Sequence, residues 1–423
     1  MLRQDGAREL RAFTAGEREE RFVPVTDGVW HVTGYGHSNA VVLETAEGVV
    51  LVDTLDTLER GQRLREAIRR QVGKEVAVVI YTHGHPDHTG GAGAFADLHP
   101  RIIAFSPSVP PLKGMDQLKA VTTLRGGRQF GYGLSDGENI SQGIGRREGV
   151  VYGERRAFVA PDAPPVAERQ TLELGGLTLE LVPSPGEAED AGLVWLPEKG
   201  VLCCGDLYYG CFPNLCAIRG GPYRDIATWI DSLALLRSFP ADYLLPGHTG
   251  AVVGAAAIQA RLAAFQEAIQ YLLTATLAGM DAGKGPDQLA AEICLPPQYA
   301  QLPFLGEHYG CAEWTVRAIY AGYLGWFDGN PTLLHPLPPR TRAEKTLALM
   351  GGGAAVRTAA GEALAAGEYQ WCLELCDLLL AGGGEAAEAR RMKAQALRAL
   401  AEWETSANGR HYYLACAREL EEP

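Results

Sequence analysis

The chain has 423 residues, 47% hydrophobic and 21% charged, long enough for one large domain and a second one and unlike disordered or collagen-like classes. A formal net charge of −13, with no lysine/arginine run longer than a pair such as Arg69-Arg70, excludes a nucleic-acid scaffold. The N-terminal segment MLRQDGARELRAFTAGEREERF alternates charges without an apolar signal core. No apolar run reaches the ~20 residues of a membrane span, so a soluble cytoplasmic protein is expected.

In chain order, GVWHVTGYG and NAVVLETAEGVVLVDT predict strands, with Gly48 punctuating the second stretch. LERGQRLREAIRRQV predicts a helix, and VAVVIYT a continuous apolar strand, together an α/β signature. From about 100 to 165 the pattern weakens into a glycine-rich stretch read as one long functional loop. Strands resume at TLELGGLTLELVPS, AGLVWLPEKGVLCCGD and ADYLLPGH, with turns at Gly175-Gly176 and Lys199-Gly200. Alanine-rich helical periodicity then takes over, which predicts one domain over 1–255 and an all-α domain over 256–423. In the latter, GEALAAGEYQWCLELCDLLLA and EAAEARRMKAQALRALAEW read as a single antiparallel, tetratricopeptide-like helix pair. The nine cysteines, Cys203-Cys204 and Cys372/Cys376 among them, read as packed thiols.

The sharpest chemical signal is THGHPDHTGG, which packs His83, His85, Asp87 and His88 into six residues after an apolar strand. Imidazoles and a carboxylate on a turn can converge on a borderline cation such as zinc. Further on, SPGEAED places Glu187, Glu189 and Asp190 together, VLCCGD ends on Asp206, and LLPGHTG holds His248.

The H-x-H-x-D-H pattern resembles the metallo-β-lactamase superfamily. That resemblance implies an αββα sandwich with metals at the sheet edge, Asp206 as a bridging ligand and His248 as the last histidine. Glu187 stands where the family's T-P-G-H histidine is expected, and either it or its neighbours Glu189 and Asp190 would ligate. This glutamate resembles the zinc-dependent alkylsulfatase branch, as do FPNLCAIRG after Asp206 and EHYGCAEWTVRAIYAGYLGWFDGNP at the entry to a helical dimerisation domain. The chain departs from that branch at Asp206, where glutamate is usual, at Pro213, where a histidine is usual, and at Pro423, beyond which longer relatives carry a lipid-transfer-like domain.

What the branch implies is a homodimeric, binuclear hydrolase of small anionic sulfate esters, with two Zn²⁺ ions, or iron or manganese in their place, and a metal-bound hydroxide as nucleophile or water activator. His83, His85 and Glu187 would hold one metal and Asp87, His88 and His248 the other, with Asp206 between them. Arg219 would clamp the sulfate, with its alternative an ion pair at the surface. Asn214 would donate to the sulfate or serve only as a turn residue, and Tyr132 would contact it or pack. Asp53 is expected to orient a metal-bound imidazole. His31 is read as a strand histidine, His37 as lining the cleft or, in preference, serving the loop, His308 and Tyr309 as parts of the dimerisation signature with the option of approaching the site, and His99, His335 and His411 as structural. Another ester specificity, for a lactone, phosphodiester or thioester, is the competing expectation.

Overall fold

A computed structural model describes residues 5–383 and 386–422. Residues 1–4, 384–385 and 423, which fall in the charged N-terminal segment, at the start of the second predicted helix and at the chain end, lie outside it.

Among the described residues, two six-stranded mixed sheets stack face to face. The first runs in spatial order β1 (Arg21–Thr26), β2 (Val29–Thr33), β3 (Ala40–Thr45), β4 (Gly48–Val52), β5 (Val76–Ile80) and β6 (Arg101–Ile103). The second comprises β7 (Gln170–Leu174), β8 (Leu177–Pro183), β9 (Gly192–Leu196), β10 (Val201–Gly205), β11 (Tyr243–Pro246) and β12 (Val252–Val253), in spatial order from β12 to β7. Antiparallel neighbours give way to parallel ones at β4/β5, β5/β6 and β10/β11.

Strand periodicity explains the layering, because successive side chains point to opposite faces. In β4, Val50 and Val52 enter the core between the sheets, while Val49 and Leu51 face outward under the helix Leu58–Gln71. In β10, Cys203 joins the inter-sheet core and Cys204 the opposite one, so the adjacent cysteines serve two different cores. The hairpin β7/β8 turns at Gly175 and Gly176, whose φ values of 53° and 86° suit glycine in a two-residue turn. The outer face of the second sheet is covered by the helices Ile226–Arg237 and Ala255–Asp281, completing the αββα sandwich.

A helix spans Ala255–Asp281, and its Ile258, Leu262 and Phe265 share one core with Trp229 and Leu233. The region expected to be one long loop holds β6 and an exposed helix, Lys119–Gln129. The predicted C-terminal helix pair spans three helices, Gly353–Ala366, Tyr369–Gly382 and Ala386–Trp403, and Ala407–Glu421 follows them as a further one. A left-handed Gly367 (φ 79°) splits what the sequence presents as one continuous helix. No described helix is long and apolar enough to cross a membrane.

Candidate metal centre

The ends of four strands, β5, β8, β10 and β11, deliver the predicted ligands to one edge of the sandwich. After β5 the chain passes through His83 and His85 into the short helix Pro86–Thr89, which carries Asp87 and His88. Glu187 lies in the turn after β8, Asp206 directly follows β10, and His248 follows β11 by one residue.

Their donor atoms converge. Among the described residues three groups, His83/His88/Asp206, His85/Glu187/Asp206 and His37/Asp87/His248, each gather their ligand atoms within 4.8 Å of one another. Asp206 belongs to two of them, and its carboxylate lies 3.7 Å from His83 Nε2, 3.4 Å from His88 Nε2 and 3.3 Å from His248 Nε2. Asp87 Oδ2 lies 3.4 Å from His88 Nε2 and 3.3 Å from His248 Nε2. His83 Nε2 and His85 Nδ1 are 2.9 Å apart, so the two histidines aim different ring nitrogens at one place.

The other ring nitrogens are occupied, which fixes what faces inward. His88 Nδ1 donates to Asp53 Oδ2 at 2.7 Å, and Asp53 also accepts from Thr82 N and Thr82 Oγ1, each at 2.8 Å. His248 Nδ1 donates to the His37 carbonyl at 3.1 Å, and His37 Nδ1 to the Arg146 carbonyl at 3.0 Å. A nitrogen facing a carboxylate or carbonyl must carry the proton, so in each neutral ring Nε2 keeps a lone pair for the centre. His88 Nε2, His248 Nε2 and Asp206 Oδ1 are buried without a hydrogen-bond partner among the described residues. Orphaned buried polar atoms converging in this way fit a divalent cation with nitrogen and oxygen ligands.

Electrostatics agree with that fit. Burial disfavours charge on His88, but Asp206, Asp87 and Asp53 outweigh it and hold its pKa well above the usual histidine range. His248 is likewise pushed up to about 10, its burial overcome mainly by Asp206. Burial would raise Asp87 and Asp206, and the neighbouring imidazoles instead hold both well below the usual carboxylate range. His85 goes the other way, held well below its ordinary value by burial first, then by His83, with Arg224 and Arg219 adding to the effect. The carboxylates therefore demand positive charge, which a bound cation supplies by displacing protons.

Of the three acids in SPGEAED, Glu187 reaches this centre. Glu189 Oε2 accepts from Ser108 Oγ at 2.5 Å, and Asp190 packs its carboxylate over Gly84. Glu187 Oε2 accepts from the Tyr209 hydroxyl and Oε1 from Arg224 Nη1, each at 2.9 Å.

Asn214 is 1% exposed, and neither atom of its side-chain amide has a partner among the described residues. Arg219 donates its backbone N–H to Gln129 Oε1 and rests its guanidinium 5.6 Å from the centroid of the Phe130 ring. No carboxylate pairs with that guanidinium among the described residues. Tyr132 gives its hydroxyl to Glu148 Oε2 at 2.8 Å and stacks on Phe130. Burial pushes Glu148 up to about 7 against the opposing Arg156.

Sequence reasoning left some neighbours open and missed others. His37, for which lining the cleft was the alternative to a loop role, stands with Nε2 4.0 Å from Asp87 Oδ2. Tyr309 stacks edge-on to Tyr209 and is buried, held by Ser406 and Asn408 of the last helix hairpin, which donate to its carbonyl. Arg224 and Tyr209 carried no motif signal at all, since their partner Glu187 is 37 and 22 positions away. His31 and His411 are buried structural histidines, with Nε2 of the first and Nδ1 of the second on the carbonyls of Pro246 and Gln129. His308 stacks on Phe13, His99 takes a left-handed cap conformation and His335 is exposed.

Comparison with known proteins agrees with this layout. Residues 33–248 match the metallo-beta-lactamase superfamily and residues 285–423 the alkyl sulfatase dimerisation family. A linear primary-alkylsulfatase of Pseudomonas sp. (strain ATCC 19151) is 33% identical over 393 residues, covering 90% of this chain and 73% of that protein. The alkyl/aryl-sulfatase BDS1 of Saccharomyces cerevisiae is 30% identical over 417 residues, covering 94% of this chain and 63% of that protein. The structure of the stereoselective inverting sec-alkylsulfatase Pisa1 from Pseudomonas sp. superposes with a TM-score of 0.87 at 25% identity, over 98% of this chain and 67% of that one. With both family matches in sequence order and relatives along nearly its whole length, the chain belongs to the alkylsulfatase branch of the metallo-β-lactamase superfamily.

Proposed function

We propose that this chain is a binuclear metal-dependent hydrolase of alkyl sulfate esters, converting ester and water to alcohol, sulfate and a proton. The observation that carries the reading is the company the metal centre keeps: a buried Asn214 amide without a partner and an Arg219 guanidinium without a carboxylate, both a few residues past Asp206. The relatives named as alkylsulfatases support the same substrate class.

His83, His85 and Glu187 would hold one cation and Asp87, His88 and His248 the other, with Asp206 shared; nitrogen and oxygen ligands of this kind suit zinc. Two such cations lower the pKa of water toward ~7 and so make hydroxide available at neutral pH. The protein's own residues do the rest. Asp53 and the His37 carbonyl keep the proton of His88 and of His248 on Nδ1. Arg219 grips two sulfate oxygens with its planar fork, and Phe130 beneath the guanidinium keeps that fork level. Asn214 donates its amide to a third oxygen. Glu148 and Arg156 hold the Tyr132 hydroxyl, which leaves Tyr132 to wall the substrate cleft with its ring.

Residues 1–255 would form the catalytic unit and 256–423 the helical unit through which two copies associate. Nine unpaired cysteines suit a reducing compartment such as the cytoplasm.

The test is an ester panel on Arg219→Ala. An alkylsulfatase loses most of its sulfate release, whereas an enzyme built for lactones or thioesters, with no sulfate to grip, keeps its turnover. Full sulfate release by the variant would overturn the assignment.

A further inference from the structure

A glutamate in place of a histidine adds a full negative charge to a metal ligand set. Glu187 does not carry that charge alone. Arg224, on the turn before the helix Ile226–Arg237, pairs with Glu187 Oε1 at 2.9 Å, their side chains only 10% and 4% exposed. Among the described residues Glu187 is the carboxylate that Arg224 pairs with. A buried, hydrogen-bonded pair of this kind is electrically close to the neutral imidazole it replaces.

The same two donors that hold Glu187 also hold Asn214. The Tyr209 hydroxyl donates to Glu187 Oε2 and accepts from Asn214 N at 2.9 Å. Arg224 Nη1 donates both to Glu187 Oε1 and to the Asn214 carbonyl. Glu187, Tyr209, Asn214 and Arg224 thus close a ring in which Asn214 is fixed at its N–H and its C=O, while its side-chain amide stays unpartnered.

We infer that Arg224 is a positioning residue that cancels the charge of Glu187 and ties this metal ligand to Asn214, so that ligand and sulfate donor are set by one side chain. The inference rests on the reading of Glu187 as a ligand. It implies that glutamate and arginine are exchangeable for a neutral ligand only together. Glu187→His alone strands a buried guanidinium beside two dications, whose repulsion opposes metal uptake. Removing Arg224 as well takes that repulsion away.

The experiment titrates chelator-stripped full-length protein with Zn²⁺ against a chromophoric chelator, for wild type, Glu187→Gln, Glu187→His, Arg224→Met and Glu187→His/Arg224→Met. Glu187→His is expected to lose about tenfold or more in Zn²⁺ affinity, the effect usual for disturbing a ligand's support, and the double variant to recover most of it. Arg224→Met alone is expected to raise KM for an alkyl sulfate through the loosened Asn214. A double variant that binds Zn²⁺ no more tightly than Glu187→His overturns the inference while leaving the hydrolase reading in place. Wild-type Zn²⁺ affinity in Glu187→Gln would instead show that Glu187 is no ligand, and the proposed metal set would fall with it. Should methionine prevent folding, Arg224→Gln paired with Glu187→Gln poses the same question, with recovery expected and its absence contradicting.

Discussion

Asp53→Asn isolates the cause of His88's orientation more cleanly than any ligand deletion. Asp53 is 2% exposed and accepts three hydrogen bonds, one of them 2.7 Å from His88 Nδ1. Its φ of 62° lies in the left-handed region, which asparagine tolerates at least as well as aspartate, so the substitution adds no backbone strain. Asparagine can still accept from Thr82, but with one oxygen instead of two it turns its amide N–H₂ toward His88. The imidazole must then accept at Nδ1 and carry its proton on Nε2, the nitrogen that faces Asp87 and Asp206. Metal binding requires that proton to leave. The expected loss is about 10- to 100-fold in metal affinity, or roughly 1.4–2.8 kcal/mol. Competitive chelator titration measures it, and the ¹⁵N shifts of the ring nitrogens report the tautomer. Wild-type affinity in a variant whose His88 proton has moved to Nε2 would refute the reasoning.

Other consequences follow from single contacts. A Cβ on Gly310 would lie 1.8 Å from the Pro213 carbonyl oxygen and 3.0 Å from Asn214 N, so Gly310→Ala should displace Asn214. A shift of that size is worth roughly 10²-fold in kcat/KM for a sulfate ester, with Zn²⁺ stoichiometry unchanged; unchanged kinetics would clear Asn214 of any role. His31 is buried and its pKa is lowered to about 4, chiefly by desolvation. The unfolded chain then binds a proton more readily than the folded one between about pH 6.5 and 4, so stability is full above that window and falls as pH drops through it. The loss for this group approaches ~3 kcal/mol, and His31→Gln should flatten that part of the stability profile measured by denaturant titration. Sedimentation equilibrium should return twice the 45.4 kDa mass of one chain, and a single-chain mass would count against the homodimer.

Much of the centre could be read from the chain because its ligands sit where strands end. His83, His85, Asp87 and His88 crowd a turn after an apolar strand, a local pattern needing no tertiary information. Glu187 was legible only against a family template, since three acids share its turn and nothing local separates them; the fold does, by giving Glu189 to Ser108. Arg224 and Tyr209 were invisible because each acts through a partner far away in sequence, and His37 stayed undecided between cleft and loop because Asp87 is likewise remote. The helix Lys119–Gln129 was missed because Thr122, Thr123, Gly126 and Gly127 have poor helix propensity and its exposed face carries no clean period. The sequence changes texture near 255, but the helix beginning there completes the core under the second sheet, a packing fact that no local pattern contains.

The central claim is that metals and a sulfate grip act together at this edge. The most direct test follows inorganic sulfate released from a linear alkyl sulfate while chelator-stripped protein is reloaded with Zn²⁺. Turnover should be negligible in the stripped protein and climb with metal content until two ions per chain are bound. A protein that binds two Zn²⁺ per chain yet releases no sulfate from any alkyl sulfate offered would contradict the account.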